Sequence, residues 1–192
     1  MTYILHLETA TKVCSVALSK DGKLIALKEI AEENYSHAEN ITLFIEDVLK
    51  QAEISIKNIN AVSVSSGPGS YTGLRIGVST AKGLCYPLNI PLISVDSLLA
   101  LSEIAKTHHP NTNLCPLIDA RRMEVFNAIY NQKEELIKPI SADIIEADSY
   151  SAFEPFVYFG DGADKLQEIW KDKNCTIDST ILSSAKGQVS IA

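Results

Sequence analysis

Two short stretches of the sequence hold residue types that act on phosphates. Glu8 and Thr9 follow the first apolar segment, and the stretch 65–77, SSGPGSYTGLRIG, holds four of the nine glycines. A carboxylate and a hydroxyl at the end of a strand can hold a nucleotide's metal and phosphate, and a glycine-rich turn brings backbone N–H groups close to a phosphate. The residues of such a site would be Glu8, Thr9, Gly67, Gly69 and Ser70. For Glu8 and Thr9 alone, a plain polar turn is the better interpretation.

The glycine turn does not match the known phosphate-binding motifs. A P-loop has a lysine after its last glycine, whereas Leu74 follows Gly73 in this chain. The dinucleotide-binding fingerprint requires a third glycine at a set distance after Gly67 and Gly69, and the sequence lacks it. Tight nucleotide binding is therefore not predicted.

The helix predicted after the glycine turn carries small residues along one side. Gly73, Gly77, Ala81 and Cys85 recur every four residues and so share one helix face. Small side chains allow another element to approach closely, and that element is either a partner's helix or this chain's own sheet. The spacing alone favours neither.

Residues that bind metals or act as nucleophiles lack partners at useful spacing. Ile41 stands four residues after His37, where a two-histidine metal site has its second histidine. His108 and His109 lie in a polar loop before a proline, and we expect them to be solvated. Spacing picks out no histidine or acid as the partner of the candidate nucleophiles Cys14, Ser15 and Ser70. Neither a metal site nor nucleophilic catalysis is predicted.

The composition excludes several classes of protein. With 192 residues, 46% of them hydrophobic, the chain can bury a substantial core. The 17 basic and 24 acidic residues give a net charge of −7, which argues against unaided binding of nucleic acid. The sequence shows no membrane span and no signal peptide, and the four scattered cysteines indicate neither disulfides nor a zinc site, so we expect a cytoplasmic protein.

Hydrophobic periodicity predicts two α/β lobes, 1–106 and 107–192, separated at the polar stretch 107–113. Asp21-Gly22 predicts a hairpin, Ser36 with Glu39 predicts a helix start, and Pro87 predicts a helix end. We expect strands over 3–7, 13–19, 23–29, 61–65, 92–95, 114–118, 124–130 and 156–159, and helices over 37–52, 72–86, 97–106 and 163–170.

Four blocks of the sequence resemble the TsaB family, also called YeaZ, and stand in the order that the family has them. The blocks are LHLETATKVCSVALSKDGK, YSHAENITLFIEDVL, VSSGPGSYTGLRIGVSTAKGL and LIDARRMEVFNAIY. The resemblance extends from Tyr3 to Trp170, and SGPGSYTGLR is much more specific than a lone glycine-rich loop.

This resemblance implies two ribonuclease-H-like lobes of the actin-like or hexokinase-like (ASKHA) fold. It also implies a non-catalytic partner of TsaD. Together with TsaE, these proteins move a threonylcarbamoyl group from threonylcarbamoyl-adenylate to N6 of the adenosine 3′ of the anticodon, in tRNAs that read codons starting with A. The tRNA would then contact this chain only through the complex, and the chain would form a homodimer when TsaD is absent.

The resemblance assigns roles to residues as well. It makes Glu8, Thr9 and the turn 67–70 a vestigial nucleotide site, with no cofactor beyond weak ATP or ADP binding. In this family the two helices of the first lobe contact the partner, which implies an interface of Ile41, Ile45, Val48, Gly73, Leu74, Gly77, Val78, Ala81 and Cys85.

Family members continue beyond a segment like 183–186 through a complete helix, so the second lobe is expected to be truncated at its C-terminus. Two other functions stay open. The first is an autonomous ASKHA-type kinase or ATPase that uses Glu8, Thr9 and the turn 67–70 at the phosphates. The second, a glycoprotease, is the less favoured because the sequence offers neither a metal pair nor a nucleophile with its base.

Overall fold

The computed structural model describes residues 1–31 and 37–192, which group into two compact units. The first unit contains 1–100 and 183–192, and the second contains 101–182. This grouping differs from the predicted lobes 1–106 and 107–192. The last ten residues join the first unit because their side chains and backbone bond to its sheet, and the boundary falls within a helix rather than after it.

The first unit is built on a five-stranded mixed sheet. A meander of three antiparallel strands comes first, and its β2–β3 hairpin turns at Asp21 and Gly22, with φ values of 48° and 75°. Two strands parallel to β1 complete the sheet in the order β3-β2-β1-β4-β5. The strands are β1 Tyr3–Glu8, β2 Val13–Lys20, β3 Lys23–Ala31, β4 Ala61–Ser65 and β5 Leu92–Val95.

Two amphipathic helices cover one face of this sheet. They are α1, His37–Gln51, and α2, Tyr71–Leu88. The predicted cap at Ser36 lies outside the described residues. The prediction that Pro87 ends α2 is wrong. The helix runs to Leu88 and ends at Asn89, whose left-handed backbone (φ 53°) lets its N–H bond to the last turn. Pro87 has no N–H, so the helix loses the one bond that this group would make to the Gly83 carbonyl. The loss is tolerated because Gly83 is exposed.

The core of the first unit lies between the sheet and α1. Leu5, Leu7, Val16 and Leu18 are fully buried on the helix-facing side, and they meet the apolar face of α1. That face consists of Ile41, Phe44, Ile45, Val48 and Leu49. Since these residues recur at helical spacing, their burial accounts for the amphipathic pattern of the segment.

The second unit repeats the topology of the first. Its sheet has the order β10-β9-β6-β7-β8, with β6–β7–β8 antiparallel and β9 and β10 parallel to β6, so both sheets follow the ribonuclease-H-like order 3-2-1-4-5. The unit boundary falls within helix α3, Ser97–Lys106. The strands are β6 Asn113–Asp119, β7 Glu124–Tyr130, β8 Leu136–Ile144, β9 Phe156–Phe159 and β10 Cys175–Asp178.

Two strands and one helix of the second unit differ from prediction. β8 and β10 were not predicted, because both are edge strands with largely exposed side chains and little alternation. The predicted helix 163–170 is instead a short 3₁₀ turn, Asp164–Leu166, followed by turns. One bond from Trp170 N–H to the Leu166 carbonyl (2.9 Å) brings these two buried side chains into place, so their four-residue spacing does not require a continuous helix.

Candidate functional site

The side of the first sheet that faces away from α1 is polar and buried. Along β1 and β4, polar residues alternate with apolar core residues, because successive side chains of a strand point to opposite faces. We call this set of residues the polar face. Its members, each at most 1% exposed, are His6, Glu8, Ser15, Ser19, Ser63 and Ser65.

Gln188 from the C-terminal segment lies at the centre of the polar face. Its nitrogen Nε2 donates to the carbonyl of Leu7 (2.9 Å) and to Oγ of Ser65 (3.0 Å). Its oxygen Oε1 accepts from Oγ of Ser63 (2.6 Å). A backbone carbonyl can only accept, so the atom that faces Leu7 must be the nitrogen, which fixes the orientation of the carboxamide.

That orientation determines the protonation of His6. The hydroxyl of Ser63 donates its one hydrogen to Gln188. Oγ of Ser63 must therefore accept from Nδ1 of His6, which lies 2.6 Å away. Burial lowers the pKa of His6 to about 4, which keeps the ring neutral at neutral pH. Nε2 therefore carries no proton and accepts from Oγ of Ser19 (2.8 Å). His6 is a fully satisfied neutral imidazole.

Glu8 ends the same chain of hydrogen bonds. Its carboxylate accepts from Oγ of Ser65 through Oε2 and from the backbone N–H of Ala10 (2.7 Å) through Oε1. Burial raises the pKa of Glu8, while the bonds from Ser65 and Ala10 act in the opposite direction. The donors run in one direction, from Ser19 through His6, Ser63, Gln188 and Ser65 to Glu8.

The lowered pKa of His6 predicts acid destabilisation of the fold. Because the folded pKa is about 4 and the unfolded value is 6.5, the neutral ring contributes stability above pH 6.5 that is lost as the pH falls through 4. We expect His6 to account for about 3 kcal/mol of this loss. His6→Asn should flatten the dependence of the unfolding free energy on pH over this interval, as measured by urea unfolding at several pH values.

Glu8 also contributes to the dependence of the unfolding free energy on pH. The raised pKa of Glu8 gives a contribution of opposite sign, since it stabilises the fold at low pH and is lost as the pH rises through that pKa. A slope that is the same in the wild type and in His6→Asn would contradict the prediction.

The five residues of the predicted nucleotide site lie together, and most of their polar groups already have protein partners. The backbone N–H of Ser70 donates to the Ala10 carbonyl (2.6 Å), and Oγ of Ser70 accepts from the N–H of Gly73 (3.3 Å) as the cap of α2. The Gly67 carbonyl accepts from the N–H of Ser97 (2.9 Å). Oγ1 of Thr9 is buried without a hydrogen-bond partner among the described residues.

Gly69 shows why this turn requires glycine. Its φ is 153°, and a Cβ at this position would lie 2.8 Å from Cβ of Ala10 and closer still to the Ala10 carbonyl oxygen. The turn is therefore closed against the segment that follows β1. Nucleotide binding by Glu8, Thr9, Gly67, Gly69 and Ser70 stays a prediction.

The small-residue face of α2, predicted to belong to a partner interface, lies inside the first unit. Gly73, Gly77, Ala81 and Cys85 are all buried inside the first unit. A Cβ on Gly73 would overlap the Thr9 carbonyl oxygen, and one on Gly77 would overlap Oγ1 of Thr9. These small residues let α2 lie close to the chain's own β1 and β4 and to α1.

Three of the predicted interface residues on α1 belong to the core as well. Ile41, Ile45 and Val48 are buried against the sheet, so they are not exposed to a partner as was predicted, although Ile41 also lines the groove described next. Leu74 and Val78 are half-buried, and their role in an interface stays a prediction.

The outer sides of α1 and α2 form a groove that the sequence analysis missed. We call it the α1–α2 groove. Tyr71 at its rim is 68% exposed, and the guanidinium carbon of Arg75 lies 4.0 Å from the centre of the Tyr71 ring. The sequence pattern that could have indicated this groove is a second row of residues at four-residue spacing on α2, at positions 71, 75 and 79. This row is offset by two residues from Gly73 and Gly77. The lining residues are Ala38, Ile41, Thr42, Tyr71, Thr72, Arg75, Ile76, Ser79 and Thr80.

The histidine pair of the second unit behaves differently from prediction at one position. His108 is exposed as expected, whereas Nε2 of His109 lies 2.8 Å from Oδ2 of Asp178 and is half-buried. Within residues 1–31 and 37–192, no group of three or more His, Cys, Asp or Glu side chains could hold a metal ion. In the same part of the chain, no helix combines the length and apolar character needed to cross a membrane.

Two units with the same strand order, the first with a sheet covered by two helices, define an α/β protein of the ASKHA class, as expected. The solved structure of YeaZ from Pseudomonas aeruginosa matches 100% of this chain and 90% of its own chain, with a TM-score of 0.82 and 25% identity. The family model described as "TsaD: tRNA N6-adenosine threonylcarbamoyltransferase" matches residues 29–186.

Similarity to curated proteins identifies the family within this class. TsaB of Escherichia coli is 37% identical over 131 residues, which are 68% of this chain and 56% of that protein. TsaB of Haemophilus influenzae is 33% identical over 123 residues, which are 64% of this chain and 51% of that protein. The alignments thus span about half the length of these two relatives. The chain belongs to the TsaB (YeaZ) family.

Proposed function

We propose that this protein is a non-catalytic subunit of the system that threonylcarbamoylates tRNA and that it binds a TsaD homologue through the α1–α2 groove. The names of its relatives support the pathway, since they are tRNA threonylcarbamoyladenosine biosynthesis proteins. The observation that carries the proposal is the contrast between the two sides of the first unit. Its chemically capable groups are buried and bonded to one another, while its helices present an open groove.

The residues of the groove suit a protein partner. Tyrosine and arginine are the side chains that contribute most often to binding energy at interfaces. Tyr71 and Arg75 are stacked at the rim, so part of the entropy cost of ordering them is already met before binding. Leu43 of α1, 56% exposed, adds apolar surface to the outer side of the same helix pair.

The polar face supports a non-catalytic role. A general base or nucleophile must reach a substrate, but His6, Ser63 and Glu8 are at most 1% exposed and bond to neighbours within the unit. The glycine turn is closed against Ala10, where a kinase would need room for phosphates. We therefore propose that the chain needs no cofactor of its own and binds ATP or ADP weakly at most.

A binding experiment tests the docking site. Tyr71→Ala and Arg75→Glu should each weaken binding to the TsaD homologue by roughly 30-fold, the effect of losing about 2 kcal/mol at a central interface residue. Tyr86→Ala is the matched control, because Tyr86 is on the same helix, 91% exposed, and outside the lining of the groove. Calorimetric titration gives the affinities, and circular dichroism shows whether each variant folds.

The outcomes separate the competing functions. Equal affinities for folded Tyr71→Ala, Arg75→Glu and wild type would exclude the groove as the docking site. Threonylcarbamoylation of tRNA should require this chain together with the TsaD and TsaE homologues. Turnover of ATP or a peptide by the isolated chain would instead support the kinase or glycoprotease alternative. Analytical ultracentrifugation of the isolated chain, without TsaD, would show whether it forms the predicted homodimer.

A further inference from the structure

The C-terminal segment Ser183–Ala192 is attached to the first unit mainly by polar contacts. The N–H of Ala185 donates to Oγ of Ser15 (2.9 Å), and Oγ of Ser184 donates to Oε2 of Glu29 (2.5 Å). Gln188 makes the three bonds described above and is fully buried. The segment's own regular structure is one short 3₁₀ turn, Ala185–Gln188, which contacts β1, β2 and β3.

We propose that the polar face contains a carboxamide-binding site, which the chain fills with its own Gln188, and that segment 183–192 is a reversible closing segment over it. This inference is independent of the partner and the pathway proposed above. The ligands of the polar face would be primary amides. While segment 183–192 is docked, Gln188 occupies the site and no other ligand is needed.

The donors and acceptors of the site select a carboxamide. The Leu7 carbonyl requires a donor, and Ser63 requires an acceptor as long as His6 keeps the Nδ1–H tautomer that Gln188 sets. A carboxylate cannot donate to Leu7, and an ammonium or guanidinium group cannot accept from Ser63. A primary amide, or a urea with the same O=C–NH₂ unit, satisfies both positions and adds the second N–H for Ser65.

The nature of the contacts makes the closure reversible. Apart from Ala185 and Gly187, the buried residues of segment 183–192 are polar, namely Ser183, Ser184 and Gln188. Hydrogen bonds contribute modestly in net terms because water replaces them when the segment opens. When Gln188 is removed while segment 183–192 stays docked, the buried groups of the polar face lose their partners, and a small amide that entered the site would compensate for this loss.

Replacement of Gln188 by alanine removes a group with the composition of acetamide, since only Cβ remains. We expect Gln188→Ala to lower the melting temperature, and acetamide to raise it again in a saturable manner, as a ligand that binds only the folded state does. Acetate and guanidinium at equal concentration should not do so. Gln51→Ala, an exposed glutamine of α1, is the matched control and should show no acetamide response.

Hydrogen exchange provides a second measurement, which keeps the inference testable if Gln188→Ala fails to fold. Gln188→Met retains the length of the side chain without its hydrogen bonds. The Ala185 amide should then exchange at least about tenfold faster, because several bonds that hold the segment are lost. The amides of α1 should be unaffected. Acetamide that acts equally on Gln188→Ala and Gln51→Ala, or unchanged Ala185 exchange in Gln188→Met, would overturn the proposal.

Discussion

Gly77→Ala is expected to destabilise the first unit by about 2–3 kcal/mol, although alanine is the better helix former. The added Cβ would overlap Oγ1 of Thr9 and lie 3.3 Å from Cγ2 of Val64. Both neighbours belong to packed and buried segments, so α2 would have to move away from the sheet. The free energy of unfolding, from urea titration followed by circular dichroism, measures the effect.

Gly83→Ala is the control on the same helix. Its Cβ meets nothing within 4 Å, so the substitution should stabilise the protein by about 0.5–1 kcal/mol through helix propensity alone. The two changes are chemically identical and should have opposite signs. If Gly77→Ala were neutral or stabilising, α2 would not lie as close to Thr9 as the structure indicates, and its small face would again be a candidate for partner contact.

Trp170→Ala is expected to cost about 3–5 kcal/mol in the second unit. The indole is 2% exposed and meets three aromatic rings edge to face, with centroid distances of 5.7 Å to Tyr150, 5.5 Å to Phe156 and 5.0 Å to Tyr158. Its Nε1–H donates to the Glu146 carbonyl (3.2 Å). Alanine would leave a cavity and remove one of two bonds to the Glu146 carbonyl, which keeps the N–H of Ser149 (3.2 Å).

Trp170→Phe separates these contributions. Phenylalanine keeps most of the ring contacts and loses the hydrogen bond, so the loss should be smaller, about 1–2 kcal/mol. Thermal unfolding followed by far-ultraviolet circular dichroism suits both variants, because Trp170 is the only tryptophan and fluorescence is lost with it. Equal stabilities for Trp170→Ala and the wild type would show that the aromatic cluster does not stabilise the second unit.

Most of the fold could be predicted because its strands and main helices carry strong local patterns. The alternation in β2 and β7, the turn at Asp21-Gly22 and the spacing in α1 all depend on neighbours a few residues apart. The edge strands β8 and β10 lack such patterns, since edge strands bury little surface on which alternation could act.

The candidate site was only partly predictable for the same reason. Glu8 and the glycine turn were identified from residue type, but their partners come from far along the chain. Gln188 contacts Ser63 across 125 residues and Leu7 across 181, and no local pattern marks such a contact. The small face of α2 was recognised correctly as a close-contact surface, whereas its partner, the chain's own sheet, depends on tertiary structure.

The edge strand β8 has a consequence for solubility. Among the described residues no strand pairs with the outer edge of β8, and an exposed edge with apolar side chains can template intermolecular strand pairing. Four large apolar residues of β8 are exposed there: Leu136, Ile137, Ile140 and Ile144. Pro139 interrupts this edge because it has no N–H to offer a new strand. Lys138 points inward, where its ammonium group lies 2.9 Å from Asp143, and inward-pointing charges on an edge strand oppose pairing with another strand. These two adjacent residues therefore act as gatekeepers, and their replacement by valine would convert β8 into a segment prone to aggregation.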